Sequence, residues 1–201
     1  MILQQYSIGV GDRFAHQGGA QLSALQEAER RGVTIVPVWN KSFREHSIVG
    51  TKPADTRSAA DNAVKERGWK NSFYVDADHI SLKNVDLFID SSNFFTLDVA
   101  DYIGKPAEEK EIEVFVSSMS KYLTAFPMPG VRTTTKVTEA DLLAIGRKYL
   151  YAVQEAGRIY RHIAAQKGSI ISLQKFPRMR QMNRRHRPNC SSSWQRLHTK
   201  E

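Results

Sequence analysis

The chain has 201 residues, of which 41% are hydrophobic and 25% charged, with a net charge of +8. That is enough for one ordinary domain with a core, and the proportions exclude a chain that is disordered throughout. No apolar run approaches membrane-spanning length, no basic leader precedes an apolar segment in MILQQYSIGVG, and the single Cys190 excludes an internal disulfide framework. A cytoplasmic protein with no membrane partner is the expectation.

The positive charge is local. From Phe176 to Glu201 six Arg and one Lys stand against one Glu, which leaves only +2 for the preceding 175 residues. A basic chain invites a nucleic-acid reading, but the body of this one is nearly neutral.

Along the chain, YSIGVG (Tyr6–Gly11) reads as a short strand ending in a glycine turn. Leu22, Leu25 and Ala28 then mark one face of a helix that stops at Gly32. Thr34–Trp39 is a second apolar run, in which Pro37 is awkward for a central strand. A helix from about Asp55 to Arg67 ends at Gly68 and leads into the strand SFYVDADHI. A short helix near Leu82–Asp90 precedes the strand Phe94–Ala100. In Glu108–Phe126 apolar residues recur at helical spacing. PMPGVRTTTK is a loop, after which Thr138 caps a long helix running to about Gln166, with Glu139 and Asp141 in its first turn.

Strand and helix alternate four times, and the strands are continuous apolar runs. That pattern predicts parallel strands covered by helices, an α/β fold of about four βα units plus two long helices. Four strands are half of a (β/α)₈ barrel or a small open sheet, and half a barrel leaves strand edges open.

Chemistry in such folds gathers at the C-terminal ends of strands. Asp12, Arg13 and His16 follow the first strand, and Asn40, Lys41, Arg44, Glu45 and His46 the second. Asp76, Asp78 and His79 end the third, and Asp98 and Asp101 the fourth. In VDADHI, alternation sends Asp76 and Asp78 to one side, while His79 breaks away as the strand gives way to its loop. Two carboxylates and an imidazole suit a divalent metal or a base beside one; equally, Asp76 could cap a turn and His79 be a satisfied histidine. The glycines of GVGDRFAHQGG make a weak phosphate motif, lacking GxGxxG and the P-loop lysine. Arg13 could clamp a substrate carboxylate or pair locally with Asp12. WNKSFREH reads as a solvated loop.

Together YSIGVGDRFAHQGGAQL, PVWNKSFREH, YVDADHISLKNVD and FFTLDVADYIGKP resemble the tagaturonate epimerase family, from about Tyr6 to Gln166. The resemblance implies a TIM-barrel-like fold, here partial. It also implies a divalent metal cation and interconversion of the sugar acids tagaturonate and fructuronate. It makes His79 a metal ligand and Asp78 the proton acceptor, with Asp76 as alternative; Asp12, Arg13, His16, Lys41 and Arg44 are the substrate-binding candidates. Residues 1–167 are then the N-terminal part of the barrel, and 168–201 a basic, disordered tail.

Where the family expects an acidic strand end of the form VSxDET, this chain turns basic. The genetic code offers a reason. With suitable synonymous codons, the frame beginning one nucleotide earlier, on the last base of the Lys175 codon, reads VSTDETDEPQTPPELFLILAAIAHKG. The fixed ATG and TGG codons leave little freedom, so recovering both the acidic motif and an apolar helix points to a frameshift and an inactive, truncated product. The rival is a nucleic-acid-binding protein that uses the basic tail and Trp194, without a specific target.

Overall fold

Five parallel strands lie side by side in the order in which the chain makes them. This computed structural model describes residues 4–123, 136–168 and 173–175. The strands are β1 (Ser7–Gly9), β2 (Val36–Ser42), β3 (Tyr74–Ile80), β4 (Phe94–Leu97) and β5 (Leu173–Lys175). Between them run α1 (Gly18–Arg30), α2 (Phe43–Val49), α3 (Pro53–Arg67), α4 (Glu109–Ser118) and α5 (Glu139–Lys167). Parallel neighbours made in sequence require a crossover each time, which α-helices supply in every connection but that between β3 and β4. The four expected strands are present and β5 adds a fifth beyond them. The short helix expected near Leu82–Asp90 is only a 3-10 turn, Val85–Leu87, so the third unit has no α-helix.

Register divides the sheet into two faces. Trp39 stands opposite Val75, and Ala77 opposite Phe95. Trp39 and Val75 meet Leu22 and Leu25 of α1 and Ala60 and Ala63 of α3, while Ala77 and Phe95 meet Ala152, Ala156, Ile159 and Ile163 of α5. Helices therefore cover this face. On the other face Val36, Val38, Tyr74 and Phe94 form a separate buried cluster. Further along that face toward the strand ends, alternation places Asn40, Asp76 and Thr96.

Local chemistry sets the element ends. The N–H of Val36 donates to Tyr6 (3.1 Å) and Val38 accepts from the Val10 N–H (2.8 Å), so β2 turns these residues toward β1. The N–H that Pro37 lacks thus falls on the β3 side, where pairing starts only at Val38. Proline is tolerated there. Ser42 and Glu45 form a reciprocal capping box that starts α2, and Gly50 ends it at φ 73°. The segment expected to be a loop is therefore a strand end and a helix. Thr138 and Asp141 cap α5 in the same way.

The helix expected over Glu108–Phe126 is shorter: α4 stops at Ser118 and one 3-10 turn, Ser120–Tyr122, follows. Its last residues, residues 127–135 of the loop expected at 127–136, and residues 169–172 and 176–201 of the tail expected from 168 lie outside the described residues. Among those described, no helix is long and apolar enough to cross a membrane.

Candidate functional site

The segment between β1 and α1 is held from within. Asp12 accepts from the backbone N–H groups of His16 (3.1 Å) and Gln17 (2.6 Å), so its carboxylate braces the entry to α1. It does not pair with Arg13, whose Nε instead lies 3.6 Å from Oε1 of Glu45. The paired glycines of HQGG serve packing. A Cβ at Gly18 would come within 2.9 Å of the Ala63 Cβ, so glycine lets α1 approach α3. Asp12, His16, Asn40 and Asp55 line a cleft where these two helices begin.

Lys41 joins the segments that follow β1 and β2. Its side chain is 3% exposed, and Nζ donates to the Arg13 carbonyl (2.7 Å) and the Thr51 hydroxyl (3.0 Å). Thr51 Oγ1 also lies 2.9 Å from Nδ1 of buried His46. Lys41 thus spends its donors inside the protein, whereas Arg13, Arg44 and His16 are exposed. Burial alone would raise the Glu45 carboxyl, but hydrogen bonds from Ser42 and the charges of Arg13 and Lys41 draw it below its ordinary value. Burial and the neighbouring Lys41 ammonium hold His46 below the usual imidazole range.

A pH dependence follows. Because the folded pKa of His46 is depressed, its contribution to stability is complete above the ordinary imidazole value of about 6.5 and is lost as pH falls toward the folded value. Denaturant titrations of His46→Phe should show a flatter slope of unfolding free energy in that window than the parent. An unchanged slope would show that another group sets it.

The DADH segment departs from regular strand. Pairing with β4 runs from Ala77 opposite Phe95 to Ile80 opposite Leu97, so β3 contains one extra residue, a bulge. At this point His79 adopts φ 56°, a left-handed conformation that costs a non-glycine residue about 1–2 kcal/mol. Ala15, in the segment after β1, is the other non-glycine residue with positive φ among those described. His79 lies in the last residues of β3 and Ala15 past the end of β1, both at the C-terminal edge of the sheet, where backbone strain accompanies function in many proteins.

The bulge has a chemical consequence. Nδ1 of His79 lies 3.0 Å from Oδ1 of Asp78, and the imidazole is 56% exposed. A carboxylate accepting from Nδ1–H fixes the tautomer and leaves Nε2 as an available donor atom. Asp76, by contrast, is buried, and its Oδ2 accepts from the Thr96 hydroxyl at 2.7 Å. Among the described residues no three His, Cys, Asp or Glu side chains gather as a metal site. The donors at the end of β3 thus fit one metal ligand with its orienting carboxylate. They do not make a complete coordination sphere.

The structure brings Asp12 and His16 to one cleft, buries Lys41 and Asp76 near one another beside His46, and sets Asp78 and His79 at the bulge within the end of β3. Sequence reasoning missed Thr51 and Thr96. Thr51 had no flag, and Thr96 reads as an ordinary β-branched strand residue until register places it beside Asp76.

Comparison with known proteins agrees in fold. Three crystal structures of fructuronate-tagaturonate epimerase UxaE from Cohnella laeviribosi are similar to the chain. The one-glycerol complex and the native structure each have a TM-score of 0.65 and 23% identity. For the two-glycerol complex the values are 0.63 and 21%. Each match covers 86% of this chain but only 36–37% of the solved one, so the chain spans about a third of their length. No curated protein matches it. The tagaturonate epimerase (UxaE) family model matches residues 1–174, past residue 167 and into β5. The chain therefore belongs to the UxaE tagaturonate epimerase family.

Proposed function

We propose that the chain is the N-terminal part of a TIM-barrel-like, divalent-metal-dependent epimerase that interconverts tagaturonate and fructuronate in the cytoplasm. The family match over residues 1–174 carries this reading. The chain spans about a third of the solved epimerases' length, so the activity is proposed for the whole protein.

The two sugar acids differ at a hydroxyl-bearing carbon β to the ketone. Exchange of an α-proton leaves that centre untouched, so the chemistry must break a bond there. In a retro-aldol step a base takes the β-hydroxyl proton, the C–O⁻ becomes an aldehyde, and the α–β carbon bond breaks. Its electron pair passes to the ketone oxygen as an enolate. Rotation of the aldehyde and re-addition to its other face invert the centre and return the proton. Asp78 is proposed as the proton acceptor. Its partial exposure beside His79 supports it over Asp76, which is buried against Thr96. His79 would hold the cation through Nε2, and a bound divalent cation supplies polarisation of the ketone and charge for the enolate. Arg13, exposed on its loop, offers a charge-assisted clamp to the sugar carboxylate, with His16 and Arg44 in supporting positions.

The test is to read the downstream DNA in the shifted frame and assay the restored protein. Divalent-dependent interconversion of the two acids is the expected result. A restored, folded protein that turns over neither acid with any divalent cation would overturn the reading.

The basic tail carries a separate expectation. Six arginines and a lysine within 26 residues bind polyanions non-specifically and salt-dependently. Deleting residues 176–201 should abolish retention on heparin, since the remainder carries only +2. Persisting, steeply salt-dependent retention would place the basic patch elsewhere.

A further inference from the structure

Lys41, Thr51 and His46 form a relay beside the segment that carries Arg13. Lys41 and His46 are each 3% exposed, and the proposed chemistry uses neither. An ammonium has only donors, so the Thr51 hydroxyl accepts from Lys41 Nζ at 3.0 Å. The single Thr51 proton is then left for His46 Nδ1 at 2.9 Å. A neutral His46 with its own proton on Nε2 is the arrangement that satisfies all three groups. Nζ also donates, at 2.7 Å, to the Arg13 carbonyl. Among the described residues, Lys41 is the one group outside the segment that is hydrogen-bonded to the backbone of residues 12–15. What it holds is a strained turn, because Ala15 stands at φ 59°.

We propose that this relay is a proton-sensitive tether: protonation of His46 releases the Arg13-bearing segment, residues 12–16. Once Nδ1 carries a proton it becomes a donor, and two donors then compete for one hydroxyl oxygen. Two cations also come to stand no more than about 6 Å apart in a buried setting. His46 is fixed by its helix and by the Phe88 ring at 5.8 Å, whereas Lys41 has a long flexible stem. Lys41 is therefore the group that yields, and the Arg13 carbonyl loses its donor. The other charges facing His46 are Glu45 on its own helix and Asp55 of α3, with Asp76 of β3 bordering the same small void. Glu45 and Asp55 favour the imidazolium, but burial and Lys41 outweigh them. That Arg13 clamps the sugar carboxylate rests on the proposed function, and on that reading acid weakens substrate binding. The tether itself stands apart from it.

Backbone amide exchange in the 201-residue chain tests this. The N–H groups of Ala15, His16 and Gln17 are bonded to Asp12 and report the order of the segment. Their protection relative to amides inside α1 should fall at least ~10-fold as the His46 ring, followed by NMR, takes up its proton. His46→Gln keeps an acceptor for the Thr51 hydroxyl but takes no proton, so the segment should stay protected throughout. His46→Phe, equally unable to titrate, repeats this arm should glutamine disturb the packing on Phe88. Lys41→Met should give the released level at every pH. Protonation of Asp12, Glu45 or His16 would act in His46→Gln as well, so an equal fall there would overturn the proposal. Protection that stays level through the His46 titration, or a fall shared by α1, would overturn it too. Each of those results leaves the epimerase reading standing. Failure of the whole protein to interconvert the two acids would overturn that reading and leave the tether in place.

Discussion

In the frame-restored protein, His79→Ala should lose bound divalent metal and Asp78→Asn should keep it while losing turnover. Nε2 is the donor atom that Asp78 leaves available on His79, and among the described residues no cluster of His, Cys, Asp or Glu forms a metal site that could replace it. Asparagine at 78 still offers an oxygen to the His79 Nδ1–H, so the ring keeps its tautomer and orientation. It accepts no proton, so turnover should fall by about 10²–10⁴-fold, the usual contribution of a positioned base. Metal content by mass spectrometry, measured beside the rate of interconversion, separates the two effects. His79→Gly guards against misfolding as an explanation. Glycine adopts φ 56° without penalty, so this variant should lose metal yet unfold no earlier than the parent. Arg13→Ala should chiefly raise KM for the sugar acids, since the proposed role is binding a carboxylate. Stoichiometric metal and full activity in His79→Ala would sink the site assignment but leave family membership intact.

The assignments differ in how much of them could be read without coordinates. The order of strands was legible because buried parallel strands leave continuous apolar runs, and Ile35–Trp39 is one. The start of α5 was legible too, since Thr138 with acids in the next turn is a capping signal that acts locally. The same signal stood at Ser42 and Glu45, but α2 has only seven residues and too little periodicity to declare itself. Three-residue β5 was hidden for a related reason. Its pairing with β4 is a long-range fact, and SLQK has no pattern of its own. At the site, VDADHI announced a change of direction at His79, and the bulge supplies it. The positive φ and the Asp78 contact belong to the folded geometry and leave no mark in composition. Thr96 is the clearest case. Its hydroxyl reaches Asp76 twenty residues away only because β3 and β4 pair in one particular register.

Lys41 shows how a residue of the right type at a strand end can serve the scaffold. At the end of β2 it fits a substrate-binding cation, yet its ammonium is buried and bound to the Arg13 carbonyl and the Thr51 hydroxyl. Lys41→Met keeps much of the apolar stem and removes both charged donations, each worth about 1.5–3 kcal/mol in similar settings. Relief from burying an ammonium offsets part of that loss, so the net fall in unfolding free energy should be about 2 kcal/mol. The second consequence is electrostatic. Burial and the Lys41 charge both hold His46 down, so removing the charge lets its pKa rise toward the ordinary value while burial still opposes the rise. The gap between folded and unfolded pKa narrows, and stability should therefore fall less steeply as pH drops below about 6.5. Denaturant unfolding across that pH range, with the His46 ring followed by NMR, tests both parts. If Lys41→Met left stability and the His46 titration unchanged but raised KM for the sugar acids, Lys41 would face substrate, and its hydrogen bonds to Arg13 and Thr51 would be incidental.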